Sequence, residues 1–185
     1  MKTKVTPRSA TPRSATPRSA PAKAARIRLL VLDVDGVLTD GVLVYGASGE
    51  ETKRFHVRDG LAIQAARRAG LEIAVISGRA SAAVTRRMSE LGVVEVHQGV
   101  ADKESLLRGL LARLGMKPAE TAVMGDDLLD LPLMRIVGLA MAPSDAVPEV
   151  RRAAGWVSRA AGGHGAVREA VEVLLRSRKA WPPRN

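Results

Sequence analysis

Asp33-Val34-Asp35-Gly36-Val37-Leu38-Thr39-Asp40 follows directly on the apolar run Ile27–Leu32. Two carboxylates thus stand one residue apart where a buried strand runs out into a glycine-containing turn. Strand side chains alternate, so positions 33 and 35 point the same way while Val34 turns back to the core. Like charges held that close repel unless a cation compensates them. The pair therefore calls for a divalent metal, an acid/base couple, or both.

Outward from this junction, short apolar runs alternate with amphipathic segments. Ile27–Leu32, Leu71–Ile76, Val93–Val96, Thr121–Met124 and Leu139–Ala140 read as strands. Leu61–Ala69, Ala80–Leu91, Lys103–Leu114, Asp130–Val137 and Ala166–Ser177 read as helices. Uninterrupted apolar strands in β-α alternation predict a parallel sheet covered on both faces, a Rossmann-like three-layer α/β sandwich. One segment departs from the alternation: Val42–Tyr45, Gly46-Ala47-Ser48-Gly49 and Glu51–Val57 read as a β-hairpin inserted after the first strand.

The 185 residues, 46% of them hydrophobic, suffice for one core and a single domain over 27–177. Without cysteine, disulfides and thiolate metal sites are excluded. No apolar run reaches membrane-helix length and no signal-peptide core is present, so a cytoplasmic location is expected. The formal charge of +10 is unevenly placed: residues 1–26 hold seven basic residues and 176–185 hold four, neither with an acid. The intervening 27–175 keeps 18 of the 29 basic residues and all 19 acidic ones, a net charge of −1. A nucleic-acid-binding face on the body is therefore disfavoured.

Residues 1–26 carry Thr-Pro-Arg-Ser-Ala three times in succession (6–10, 11–15, 16–20). Proline every fifth residue and the lack of an apolar face predict a disordered basic arm. A tether to RNA or a membrane surface is the sharper alternative, against which stands the absence of aromatics for stacking. Residues 178–185 are expected to form a basic C-terminal tail, with Trp181 in it, while Trp156 is expected in the core.

In a doubly wound sheet, ligands bind beyond the carboxyl ends of the strands. There the sequence places Asp33 and Asp35, Ser77-Gly78-Arg79, Lys103 at a helix start, and Gly125-Asp126-Asp127 with Asp130. Carboxylate oxygens suit Mg²⁺, and a hydroxyl, a lysine and helix-terminal amides suit a phosphoryl group. A carboxylate nucleophile splits hydrolysis through an aspartyl-phosphate, and a second carboxyl protonates the leaving oxygen and then activates water. Taken singly these residues have plain alternatives: Asp33 and Asp35 as turn caps, Ser77 as a helix cap, Lys103 as a solvated helix residue. His56, His97 and His164 are too scattered for a transition-metal site.

The four motifs in order, Asp-x-Asp-Gly-Val-x-Thr, Ser-Gly-Arg, an isolated Lys and Gly-Asp-Asp-x-x-Asp, resemble those of the haloacid dehalogenase (HAD) superfamily of phosphotransferases. Asp33–Gly41, Phe55–Gly60, Gly125–Met134 and Ala161–Glu169 are similar to the family of 3-deoxy-D-manno-octulosonate 8-phosphate (KDO 8-phosphate) phosphatases, over about residues 27–176. The resemblance implies Asp33 as nucleophile and Asp35 as general acid/base. It implies Mg²⁺ on the carboxylates of Asp33 and Asp126 and the main-chain carbonyl of Asp35, with Asp127 and Asp130 in support. Ser77, Gly78 and Lys103 would hold the phosphoryl group. Arg79 and Arg87 would meet the sugar-acid carboxylate, which a guanidinium binds through both oxygens. On a helix over 80–91 continued back to 79, these two arginines share a face to within about 80°.

About 40 residues separate Asp35 from Ser77 and 25 separate Ser77 from Lys103, too few for a cap domain. The family is a capless homotetramer in which hairpins assemble and a neighbour's glycine-rich segment completes the site. The matching stretch is Gly162-Gly163-His164-Gly165, with His164 where some relatives have arginine. The resemblance thus implies hydrolysis of KDO 8-phosphate in lipopolysaccharide synthesis. Phosphatases of N-acylneuraminate or KDN 9-phosphates, which share the design but use an acidic/lysine pair in place of the arginines, are the near alternative. A non-catalytic tetrameric assembly or nucleic-acid tether is the alternative of another class.

Overall fold

The structure is a computed structural model and describes residues 23–182. Residues 1–22 of the arm expected over 1–26, and the last three residues, lie outside that range. The rest of the expected arm departs from the expectation, since Ala24 is fully buried in the core and residues 23–27 form a hydrogen-bonded turn. Among the described residues the main elements are β1 (Leu29–Leu32), β2 (Val44–Tyr45), β3 (Glu51–Thr52), α1 (Val57–Arg68), β4 (Glu72–Ile76), α2 (Ala82–Leu91), β5 (Glu95–His97), α3 (Lys103–Leu114), β6 (Thr121–Met124), α4 (Leu131–Ile136), β7 (Leu139–Ala142), α5 (Pro148–Ala153), β8 (Trp156–Val157) and α6 (Ala166–Ser177).

Six strands form one parallel sheet in the order β5-β4-β1-β6-β7-β8. Strand β1 is central, with Leu29 opposite Glu72 on one side and Thr121 on the other. Its four residues are all buried, because alternate side chains serve opposite layers. Leu30 and Leu32 pack with Ile63, Met88 and Leu174 of α1, α2 and α6. Leu29 and Val31 pack with Leu107, Leu133 and Val150 of α3, α4 and α5. Full burial of each such side chain contributes roughly 1.5–3 kcal/mol. The result is the expected α/β three-layer sandwich.

Chain order reverses at β1: the next sheet strands run outward on one side, and β6, β7 and β8 on the other. This is the topological switch point, where a crevice opens beyond the strand ends. β2 and β3 stand outside the sheet as an antiparallel hairpin, Val44 opposite Thr52 and Tyr45 opposite Glu51.

Three differences from the sequence reading matter below. Helix α2 starts at Ala82, since Ser81 is extended and its amide is held by the Gln98 side chain at 2.8 Å. Arg79 therefore lies on a loop and does not share a helix face with Arg87. Helix α5 and strand β8 were not anticipated; at six and two residues they are too short to show a period. Trp156 is buried, while Trp181, expected in the tail, packs on the body with the Arg168 guanidinium 4.5 Å from its ring centre.

Candidate active site

The β1 strand ends in a tight turn. The Val34 carbonyl accepts from the amides of Val37, Leu38 and Thr39 at 3.2, 2.9 and 3.0 Å, while the Asp33 amide stays in the sheet on the Met124 carbonyl. Gly36 occupies φ +86°, and a Cβ there would lie 2.0 Å from Asp126 Oδ2. Only glycine both adopts this backbone and lets Asp126 come so near.

Ser77 ends β4, buried, with its amide on the His97 carbonyl. Lys103 opens α3, behind the cap Asp102, which accepts from the Ser105 amide at 3.0 Å. Beyond β6, Asp130 Oδ2 accepts from the amides of Asp126 and Asp127 at 3.0 and 3.3 Å and so shapes that loop. These ends converge on one cavity of about 280 Å³, lined by Asp33, Asp35, Ser77, Gly78, Lys103 and Asp126, among others.

Lys103 Nζ lies 2.7 Å from both Asp33 Oδ1 and Asp130 Oδ1, with all three side chains almost wholly buried. Burial alone would lower the lysine pKa, but the two carboxylates outweigh it and hold the ammonium charged. One ammonium does not balance the acids. Asp33, Asp126 and Asp130 each place a carboxylate oxygen within 4.8 Å of the others. Burial, followed by repulsion from Asp130, pushes Asp33 up to about 6 against the pull of Lys103. Burial and the charges of Asp33, Asp130 and Asp127 push Asp126 up to about 8. Uncompensated negative charge from oxygen donors is what a hard divalent cation relieves; the donor set fits Mg²⁺.

Comparison with known proteins identifies the family. A family model described as haloacid dehalogenase-like hydrolase matches residues 87–169. The 3-deoxy-D-manno-octulosonate 8-phosphate phosphatase KdsC of Escherichia coli K12 is 47% identical over 149 residues, covering 80% of this chain and 79% of that protein. The chain belongs to the KDO 8-phosphate phosphatase family. The crystal structure of the Yersinia pestis family member overlays with a TM-score of 0.86 at 41% identity, covering 88% of each chain. That of the Moraxella catarrhalis enzyme, in complex with magnesium, phosphate and KDO, gives 0.86 at 39% identity, covering 88% of this chain and 94% of the other.

Within this KDO 8-phosphate phosphatase family member, the other candidate residues divide: Asp127 and Arg79 line the same cavity, whereas Arg87 and His164 do not. Asp127 is exposed and caps the Leu128 amide at 2.7 Å. Arg79 lines the cavity, with Nε 3.7 Å from Asp35 and its guanidinium paired to Glu51 of the hairpin. Arg87 lies off the cavity, bonded to Glu90 at 3.1 Å and pressed against Gly60. His164 is exposed, its Nδ1 2.7 Å from the Gly162 carbonyl. The glycine-rich loop packs against the Asp33–Asp40 turn of its own chain: a Cβ on Gly162 would fall 1.7 Å from the Gly36 carbonyl.

Two site residues escaped the sequence reading. Lys53 and Glu51, from the hairpin, reach the Asp35 carboxylate and the Arg79 guanidinium. Nothing in their spacing marks them, since a polar residue beside a hairpin turn is ordinary.

Proposed function

We propose that this chain hydrolyses KDO 8-phosphate to KDO and inorganic phosphate, in the cytoplasm, for lipopolysaccharide synthesis. The observation that carries the reading is the convergence of Asp33, Asp35, Ser77, Lys103 and Asp126 on one cavity in a chain of this family.

Asp33 attacks phosphorus, the bond to the sugar oxygen breaks, and Asp35 gives its proton to the departing alkoxide. Asp35, now a carboxylate, takes a proton from water as that water attacks the aspartyl-phosphate; phosphate leaves and Asp33 is restored. Lys103 and the Ser77 hydroxyl hold the non-bridging oxygens, with Gly78 leaving the backbone open to them. The Asp33 and Asp126 carboxylates and the Asp35 main-chain carbonyl, supported by Asp127 and Asp130, would hold Mg²⁺, which would neutralise charge on the phosphoryl group. Arg79 is the guanidinium placed to meet the sugar-acid carboxylate, and Arg87 reaches it only by leaving Glu90.

The active assembly in this reading is a homotetramer joined through the hairpins. Supporting it, Val42, Leu43, Val44 and Tyr45 are exposed in succession, with Val57 and Leu61 one turn apart on α1. The exposed His164 at the tip of a neighbour's Gly162–Gly165 loop, whose glycines back that neighbour's own turn, would then help close the open cavity against water.

The test is a phosphatase screen over KDO 8-phosphate, N-acylneuraminate and KDN 9-phosphates, hexose phosphates and nucleotides, with and without Mg²⁺. KDO 8-phosphate is expected to lead by kcat/KM and only with metal. A preference for hexose phosphates or nucleotides refutes the substrate; light scattering of a monomer refutes the assembly.

A further inference from the structure

The hairpin carries one residue that does not behave like its neighbours. Tyr45 is 60% exposed, whereas the Lys53 side chain is only 2% exposed. A lysine is almost never fully buried without a partner. Here the ammonium lies 2.5 Å from Asp35 Oδ1 and 3.1 Å from Glu51 Oε1. Glu51 also takes the Arg79 guanidinium at 2.5 Å.

The two oxygens of Asp35 are consequently unequal. Oδ1 receives Lys53 and, at 3.4 Å, the Thr39 hydroxyl. Among the described residues Oδ2 has only Arg79 Nε, at 3.7 Å. A carboxylate gripped at one oxygen cannot rotate freely about its final torsion, so the other oxygen is the one left for the cavity. Proton transfer in the transition state needs the transferring atom within hydrogen-bond reach.

From this contact we infer that Lys53 is a positioning residue for the reaction. It fixes the Asp35 carboxylate so that Oδ2 exchanges the proton with the leaving oxygen and with water, and Glu51 holds Lys53 and Arg79 in place. The inserted hairpin is thereby part of the catalytic apparatus of its own chain. This rests on the acid/base role given to Asp35 above.

The test compares the full-length wild type, K53M, K53R, D35N and K53M/D35N, all with Mg²⁺, on KDO 8-phosphate and on 4-nitrophenyl phosphate. K53M is expected to lower kcat on KDO 8-phosphate on the order of 10- to 100-fold, a share of the roughly 10²–10⁴-fold that a general acid/base supplies. KM should change by less than about threefold, as expected when the lost interaction belongs to the transition state. The loss should be smaller on 4-nitrophenyl phosphate, whose phenolate leaves without a proton. K53R should recover part of the rate, and K53M should cost nothing further in the D35N background. Wild-type kcat in K53M overturns the inference. So does an equal loss on both substrates that adds to that of D35N, because Lys53 would then act elsewhere than through Asp35. Failure of the wild type on KDO 8-phosphate would instead refute the proposed substrate, while 4-nitrophenyl phosphate still reads the coupling of Lys53 to Asp35.

Discussion

Removing the metal should make the protein more stable as the solution becomes more acidic, over a defined range. In the folded, metal-free chain Asp126 is pushed up to about 8 and Asp33 to about 6, both from 3.8. An acid whose folded pKa is raised binds protons more tightly folded than unfolded. Its stabilisation is full below 3.8 and is lost as the pH rises through about 8 for Asp126 and about 6 for Asp33. Glu51 has the opposite sign: the Arg79 and Lys53 contacts hold it down to about 2, so its contribution is lost only below 4.5. Between about pH 8 and about pH 5.5 the two raised aspartates therefore dominate. One proton taken up by the folded state and not by the unfolded is worth about 1.4 kcal/mol per pH unit, or about 3 kcal/mol across that range. For a chain of this size that moves the melting temperature by roughly 6–12 °C. Scanning calorimetry in a chelator and in saturating Mg²⁺ checks it. In chelator the melting temperature should climb on acidification from about pH 8 to about pH 5.5. In Mg²⁺ the climb should vanish, because the carboxylates stay ionised and compensated, and the two curves should approach each other at the acid end. A chelated protein whose melting temperature is flat or falling over the range refutes the uncompensated-charge account of the site.

Asp33→Asn should abolish turnover on every phosphate ester tested, with binding of inorganic phosphate retained; a measurable rate above the uncatalysed one counts against Asp33 as nucleophile. Asp126→Asn should raise the metal-free melting temperature near pH 8 by removing a buried repulsion, while steady-state assays show Mg²⁺-dependent activity lost. Gly36→Ala, forced into a left-handed backbone with its methyl against Asp126, should cost about 1–3 kcal/mol in denaturant melts and far more in kcat. Deleting residues 1–22 should leave kcat/KM unchanged, whereas a cut after residue 26 also removes Ala24, which is fully buried in the core, and should lower the denaturation midpoint.

The strand-end chemistry was legible because each piece is a short polar motif terminating an apolar run. Asp33, Ser77 and Asp126 lie beyond β1, β4 and β6, and parallel strands must bring those ends to one edge of the sheet. Lys103 was legible only through motif order, yet it lands at the first position of α3 with its charge in the cavity. What stayed hidden depends on tertiary contact. Whether Lys53 points to solvent or to Asp35 is set by how the hairpin folds back on β1, and a two-residue ladder leaves no periodic trace. Helix periodicity placed Arg79 with Arg87, but the Gln98 side chain, from beyond β5, captures the Ser81 amide and delays the helix. Trp181 looked like tail because its partner, Arg168, stands near the start of α6, 13 residues earlier in a segment that composition alone treats as charged surface.

The support of Gly36 and Thr39 by Gly162 and Gly163 joins positions more than 120 residues apart in the chain. Asp59 draws the same distant region inward, accepting from the amides of Gly165 and Arg168 at 3.3 and 2.7 Å at the start of α6. Asp33, the proposed nucleophile, is thus synthesised among the first residues of the domain, but its turn has no backing until nearly the last have emerged. A nascent chain stalled before Gly162 would carry every catalytic side chain and still lack the wall behind them. Competence for hydrolysis is accordingly acquired only once the start of α6 has emerged, and ribosome-bound fragments ending short of α6 should be inert.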